Sequence, residues 1–342
     1  MDKSILIIYT GGTIGMINDP ETGVLCPFNF EQISLEVPEI REFDFKIDYY
    51  TLPEIIDSSN LSPNLWVDLC HVILENYDKY HGFVILHGTD TMAYSASALS
   101  FMLDRLGKPV VFTGSQLPVG KIRTDGRENL ITAIEIAAGE NAPVVPEVCI
   151  LFGDRLFRGN RATKINAESF DAFQSFNYPP LAEIGTRVHY NREAIRPLPS
   201  SSLPPVAFYN LDTRVAILKI FPGLGANVVE AIISVPGLRG IVLETYGTGN
   251  APTREDFLEK IHDALARGII IYNVTQCAGG SVEMGKYQTS RELLNAGIIN
   301  GYDITTEAAL CKMMHVLGRY TSAGEIRKQL NSNLRGEISL NE

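Results

Sequence analysis

Short β-branched runs alternate with longer amphipathic stretches along most of the chain. "ILIIYT" (5–10), "FVILH" (83–87), "VVFT" (110–113) and "VCILF" (148–152) are apolar runs of strand length. Unbroken apolar runs mark strands buried on both faces, as in parallel sheets. Between them Leu65, Trp66, Leu69, Val72 and Ile73 recur at helical spacing within "PNLWVDLCHVILENY", and residues 91–106 form a second helical stretch. Such alternation predicts an α/β fold, a mostly parallel sheet flanked by helices.

Near residue 190 the texture changes. "NREAIRPLPSSSLPPVAFYN" (191–210) is crowded with proline and carries three consecutive serines, a composition that sustains neither a helix nor a central strand. Beyond it the alternation resumes with "VAILKI" (215–220), "GIVLE" (240–244) and "GIIIYN" (268–273), followed by helical stretches at 288–296, 306–318 and 323–330. The expected organisation is a large N-terminal α/β domain over residues 1–190, an interdomain linker over 191–212 and a smaller C-terminal α/β domain over 213–342.

Composition narrows the function classes. With 342 residues, 45% of them hydrophobic, the chain can bury a core and is no disordered polyelectrolyte. Its formal charge of -11, with no tract of Lys and Arg, argues against nucleic acid as a partner. No run approaches twenty apolar residues, and "MDKSILIIYTGG" is too short and too early interrupted for a signal peptide. It reads as the first strand of a cytoplasmic protein with no membrane partner. The five cysteines are scattered without a C-x-x-C pair, which fits a reducing compartment. The six histidines show no H-E-x-x-H and no cluster, so no metal is expected. No cofactor is expected either: "GGTIGM" does not match G-x-G-x-x-G, and there is no Walker lysine.

Candidate chemistry collects where strands end, because loops at the carboxyl ends of parallel strands gather ligands. Thr13 follows Gly11 and Gly12, so its hydroxyl rides on a loop whose amides can approach a ligand without a Cβ in the way. "LHGTDTMAY" repeats the design: a strand, His87, Gly88, then Thr89 and Asp90 at the start of a helix. Either motif alone is equally well read as a helix cap; together they point to one sheet edge. A threonine hydroxyl is a poor nucleophile until a neighbour takes its proton. The chain offers Asp90 and, in "RGNRATK", Lys164, whose plainer reading is a solvated surface lysine. In "EIIDSSNLSP", Asp57, Ser58 and Ser59 offer a carboxylate and hydroxyls for the charged groups of an amino acid, or another helix cap. His87 reads as a structural hydrogen-bonder rather than a base.

These residues sit in motifs that resemble the bacterial-type L-asparaginases, closest to the cytoplasmic type I group. "YTGGTIG" (9–15) and "ILHGTDTMAYSASALSF" (85–101) are similar to the two signature threonine regions. "TGSQLP" (113–118), "RTDGRENL" (123–130), "RGNRATK" (158–164), "FPG" (221–223), "YGTGNAP" (246–252) and "TQC" (275–277) extend the resemblance over nearly the whole chain. The resemblance implies hydrolysis of L-asparagine to L-aspartate and ammonia by a homotetramer of two intimate dimers. It implies Thr13 as the nucleophile that forms a β-acyl ester. Thr89, Asp90 and Lys164 then form a second triad acting on water. Ser58 and Asp90 hold the substrate's α-carboxylate and α-ammonium, with Asp57 and Ser59 nearby. Amides around Gly12 and from Gly88 to Thr89 serve as oxyanion donors.

Two departures stand out. Many members carry a tyrosine in the loop after the first threonine, whereas residues 17–30 here contain none. Loop 15–30 is expected to close over substrate, with Gly15 and Gly23 allowing motion. Some type I members also have an allosteric asparagine site. Thr275 and Cys277 match it, but Glu244 stands where an arginine is expected, and a carboxylate cannot pair with an effector's carboxylate. The rival readings are an asparaginase-glutaminase of relaxed specificity, an amidase subunit working on charged tRNA and a non-catalytic amino-acid sensor.

Overall fold

The computed structural model describes residues 3–18, 25–27, 33, 35–139, 142–201, 203–286 and 288–340. The tyrosine-free loop and its Gly23 lie largely outside them. Two compact units divide the chain, Met1–Ala207 and Phe208–Glu342.

The first unit is built on strands β1 (Ser4–Tyr9), β2 (Lys46–Thr51), β3 (Gly82–Leu86), β4 (Val110–Thr113), β5 (Val148–Phe152) and β6 (Arg155–Arg158). A two-residue ladder, β7 (Thr163–Lys164) with β8 (Phe173–Gln174), stands apart, and β9 (Ala182–Ile184) and β10 (Val188–Tyr190) extend the main sheet. The sheet order is β10-β9-β6-β5-β4-β3-β1-β2. The five strands β2, β1, β3, β4 and β5 run parallel, and β6, β9 and β10 add antiparallel edges. β1, β3, β4 and β5 are buried at every position, which is why they read as unbroken apolar runs. One face carries Ile5, Ile7, Val84, Leu86 and Val111 against Leu130, Ala133, Ile134 and Ala137 of α3 (Gly126–Ala138). Each such fully buried Val, Leu or Ile side chain contributes about 1.5–3 kcal/mol.

α1 (Pro63–Glu75) packs on α2 (Met92–Met102), and α2 packs on β5. The helix expected over 91–106 ends at Met102. Leu103 and Asp104 are extended and pair with Ala207 and Val206, and Arg105 turns through the left-handed region at φ 57°. A pairing partner a hundred residues away overrides the local helical pattern there. It also makes the end of the proline-rich segment a short strand rather than open chain.

Register fixes the functional edge. Tyr9 lies opposite Thr51 on one side and Leu86 on the other, and Leu86 lies opposite Thr113. The carboxyl ends of β2, β1, β3 and β4 therefore finish in one row, and the segments after residues 9, 51, 86 and 113 emerge together.

The second unit has the parallel sheet β11 (Val215–Lys219), β12 (Gly240–Thr245), β13 (Ile270–Thr275) and β14 (Ile299–Asn300), in that order. Its helices are α4 (Ala226–Ile233), α5 (Glu255–Ala266), α6 (Gln288–Ala296), α7 (Thr306–Arg319) and α8 (Ala323–Asn331). The last three fall where the sequence pattern puts them. Its C-terminal tail is pinned by a fully buried ion pair, Lys312 Nζ to Glu337 at 2.7 Å. Among the described residues no helix is long and apolar enough to cross a membrane.

Candidate active site

The first loop is shaped by glycine. After β1, Thr10 donates its backbone N–H and its hydroxyl to the Leu86 carbonyl, at 3.1 and 2.9 Å, and so ties the loop to the end of β3. Gly11 and Gly12 then take φ of 125° and 91°, values that L side chains rarely adopt. A Cβ on Gly12 would lie 2.5 Å from the Gly88 nitrogen, and one on Gly11 would run into the Ile56 carbonyl. The glycines thus let the backbones of three loops touch. Thr13 opens a single 3₁₀ turn, Thr13–Gly15, and is half-buried. Tyr9 braces that turn, its hydroxyl donating to the Gly15 carbonyl at 3.0 Å while its ring fills the space a Gly15 side chain would need. Burial pushes the Tyr9 phenol up to about 12, so it stays a donor.

The second loop follows β2. Asp57 caps the 3₁₀ turn Ser58–Asn60, accepting from the Ser59 N–H and the Ser59 hydroxyl, both at 2.8 Å. Those donors hold the Asp57 carboxyl below its ordinary range. Asp57 and Ser59 therefore engage one another in an exposed turn, as the capping alternative describes. Ser58 is buried, and its hydroxyl occupies the space beside Gly88 where a Cβ would sit. The Thr91 hydroxyl donates to the Ser58 carbonyl at 2.8 Å and locks this loop to the third.

The third loop follows β3. The His87 N–H donates to the Thr113 carbonyl at 2.9 Å, and Gly88, Thr89, Asp90 and Thr91 precede α2. No side chain caps α2, so the capping alternative fails for Thr89 and Asp90. Both instead meet Lys164, whose ammonium donates to Thr89 Oγ1 at 2.8 Å and to Asp90 Oδ1 at 2.7 Å. The lysine side chain is 17% exposed and the aspartate 64%. Lys164 is delivered by the β7–β8 ladder, where it pairs with buried Phe173 and where the Ile165 N–H donates to the Ala172 carbonyl at 2.8 Å.

A fourth segment closes the row. A Cβ on Gly114 would strike the His87 carbonyl and approach Thr89 Cγ2 at 3.6 Å. Asp125 accepts from the Gln116 and Leu117 N–H groups, and Asn129 Nδ2 donates to the Gly114 carbonyl at 2.9 Å. "TGSQLP" and "RTDGRENL" are thus joined as one wall beside the threonine loop. Of Tyr9, Gly114, Asp125 and Asn129, only Gly114, directly after β4, carries a local sequence signal; Tyr9 ends β1, and Asp125 and Asn129 lie at the start of α3.

The arrangement is three interlocked loops on one sheet edge that carry two threonine hydroxyls and a carboxylate, with a lysine from the β7–β8 ladder bonded to Thr89 and to that carboxylate. An ammonium beside a hydroxyl oxygen stabilises negative charge there, which suits activation of a hydroxyl or of water. Among the described residues no three His, Cys, Asp or Glu side chains converge to hold a metal ion. In the second unit Glu244 accepts from the Thr306 hydroxyl at 2.6 Å and faces Lys219 at 3.4 Å. Thr275 donates its hydroxyl to the Gly247 carbonyl at 2.7 Å.

Comparison with known proteins agrees with the motifs. The family model "Asparaginase, N-terminal" matches residues 4–196, and "Glutaminase/Asparaginase C-terminal domain" matches residues 214–330. L-asparaginase 1 of Escherichia coli K12 is 43% identical over 340 residues, 98% of each chain. The crystal structure of L-asparaginase I from Vibrio cholerae superposes with a TM-score of 0.90 at 37% identity, covering 99% of this chain and all of the other. The mouse protein named 60 kDa lysophospholipase is 40% identical over 99% of this chain, which spans 63% of that longer protein. The chain belongs to the asparaginase family.

Proposed function

We propose that this protein is an L-asparaginase, a hydrolase that converts L-asparagine and water to L-aspartate and ammonia through a covalent threonine ester. The Thr13 oxygen attacks the side-chain amide carbon and its proton passes to the departing nitrogen. A C–O bond forms, the C–N bond breaks and ammonia leaves. Water then adds to the β-aspartyl ester, the bond to Thr13 Oγ breaks, and the hydroxyl is restored. Thr89, with Lys164 and Asp90, activates that water. Ser58 and Asp90 hold the α-carboxylate and α-ammonium, with Asp57 and Ser59 nearby, and amides about Gly12 and from Gly88 to Thr89 receive the developing oxyanion.

The observation that best supports this reading is the contact of Lys164 with both Thr89 and Asp90 on the sheet edge where Thr13 emerges. A non-catalytic amino-acid sensor needs charged groups for the α-substituents but no lysine bonded to a second threonine. The working form in this proposal is a cytoplasmic homotetramer, two intimate dimers, checked by light scattering on the purified protein. Ammonia release from L-asparagine and L-glutamine by the wild type and by Thr13→Ala tests the activity. Turnover of asparagine that is lost in Thr13→Ala supports the proposal; full activity in the variant removes Thr13 from it. Absence of turnover in the wild type favours the sensor. One methylene changes apolar discrimination by only about 1–3 kcal/mol, so the glutamine arm sets the specificity.

A further inference from the structure

Behind the threonine loop runs a buried chain of hydrogen bonds that the mechanism above does not use. The Trp66 indole Nε1 lies 3.0 Å from Ser95 Oγ, Ser95 Oγ lies 2.9 Å from His87 Nε2, and His87 Nδ1 lies 2.7 Å from the Gly88 carbonyl oxygen. Trp66, Ser95 and His87 are all buried, and the His87 ring meets Phe112 edge-on at 5.7 Å.

Donor and acceptor chemistry orders the chain in one direction. A carbonyl oxygen only accepts, so His87 Nδ1 must carry a proton. Burial draws the imidazole down to about 4, which keeps it neutral at physiological pH. A neutral imidazole has one N–H, so Nε2 is an acceptor and the Ser95 hydroxyl donates to it. The indole N–H is a donor only, so Ser95 Oγ accepts from Trp66. The sequence Trp66 N–H to Ser95 O–H to His87 to the Gly88 carbonyl leaves each participating donor and acceptor matched, and the bonds of such a buried chain reinforce one another.

Its last acceptor belongs to the peptide that joins Gly88 to Thr89. That unit is planar and trans, so its C=O and the Thr89 N–H point in opposite directions. With the carbonyl held inward by His87, the Thr89 N–H is turned outward from the core. We infer that His87 is a positioning residue for the hydrolysis: held by Ser95 and Trp66, it fixes the Gly88–Thr89 peptide so that the Thr89 N–H faces the developing oxyanion. The inference rests on the asparaginase reading of the site and adds to it a group that never touches substrate. Glycine at 88 makes the support necessary, because that residue alone does little to restrict its own peptide.

Two substitutions separate positioning from packing. In His87→Asn the side-chain amide nitrogen takes the place of Nδ1 and can donate to the Gly88 carbonyl. In His87→Gln the amide reaches the Nε2 position beside Ser95 instead and leaves that carbonyl without its donor. Loss of one oxyanion donor lowers kcat by about 10²–10³-fold, so His87→Gln is expected to lose about 10²-fold in kcat with KM within about threefold. His87→Asn is expected to recover kcat to within about tenfold of wild type. An ¹⁵N-histidine spectrum of the wild type at neutral pH reads the tautomer without reference to activity, and a protonated Nδ1 with a bare Nε2 is expected. A protonated Nε2, equal losses in the two variants, or kcat unaffected in His87→Gln overturns the inference. If the wild type releases no ammonia from asparagine, the hydrolase reading fails and the catalytic role falls with it. The tautomer then still reports the direction of the hydrogen-bond chain.

Discussion

Replacing Lys164 by methionine separates catalysis from stability at a single side chain. Methionine keeps an unbranched stem of similar length, so the β7–β8 ladder and its pairing with Phe173 persist while the ammonium and its bonds at 2.8 and 2.7 Å disappear. The stability effect is small because Asp90 is 64% exposed, and an ion pair with so accessible a partner contributes about 1 kcal/mol or less. For a unit the size of the first, Met1–Ala207, that is a shift in Tm of about 2–4 °C. The activity effect is large if the ammonium acts on Thr89 in the transition state. Positioned proton-transfer groups contribute about 10²–10⁴-fold, or about 3–5 kcal/mol of barrier. Initial rates of ammonia release across asparagine concentrations, with a thermal melt of the same preparation, measure both. We expect kcat to fall by about 10²–10⁴-fold with Tm nearly unchanged. A kcat within tenfold of wild type refutes the role of Lys164; a Tm lowered by more than about 10 °C refutes the claim that its function and its structural contribution are separable.

Other consequences follow from groups elsewhere in the chain. Lys312→Met leaves buried Glu337 without its cation and frees the Leu330 and Ser332 carbonyls that Lys312 also serves, so urea unfolding should show a loss of about 3–5 kcal/mol. Lys46→Met, which breaks an exposed pair with Asp48, should cost less than about 1 kcal/mol. The His87 imidazole is drawn by burial from 6.5 to about 4. Between those values the unfolded chain binds a proton that the folded chain refuses, so stability present above pH 6.5 is lost as pH falls towards 4. The loss amounts to about 3 kcal/mol, and urea midpoints should fall less steeply over that range in His87→Asn than in wild type. Because Glu244 presents a carboxylate already bonded to Thr306, asparagine saturation curves should be hyperbolic. Sigmoidal curves abolished by Glu244→Ala would contradict that expectation.

How far the sequence carries depends on whether a residue's position is set locally. The central strands were legible because burial on both faces forces unbroken apolar runs. β2, "KIDYYT", is exposed or half-buried throughout and has no such run; only its pairing with β1 makes it a strand. The end of α2 departs from the local helical pattern because Ala207, far along the chain, captures Leu103 in a ladder. At the site, Thr13 and Thr89 could be found because each follows a strand and a glycine, and register then puts both on one edge. The contact between Lys164 and Thr89 follows from the family resemblance but from no local pattern, since 75 positions separate them and a two-residue ladder brings them together. In "DSSN" the turn of Asp57 onto Ser59 is local, while the placement of Ser58 against Gly88 depends on a loop thirty positions away. His87 was legible as a hydrogen-bonder, while its partners Ser95 and Trp66 carry no sequence signal.

The central claim is that Thr13 becomes covalently bound to the substrate's acyl group. Acid quenching of the enzyme during turnover of L-asparagine, followed by proteolysis and mass spectrometry, tests it most directly. The peptide carrying Thr13 is expected to gain the mass of one aspartyl group on the Thr13 hydroxyl, and Thr13→Ala is expected to show neither adduct nor turnover. An adduct on Thr89 with Thr13 unmodified, or turnover that survives in Thr13→Ala, would contradict it.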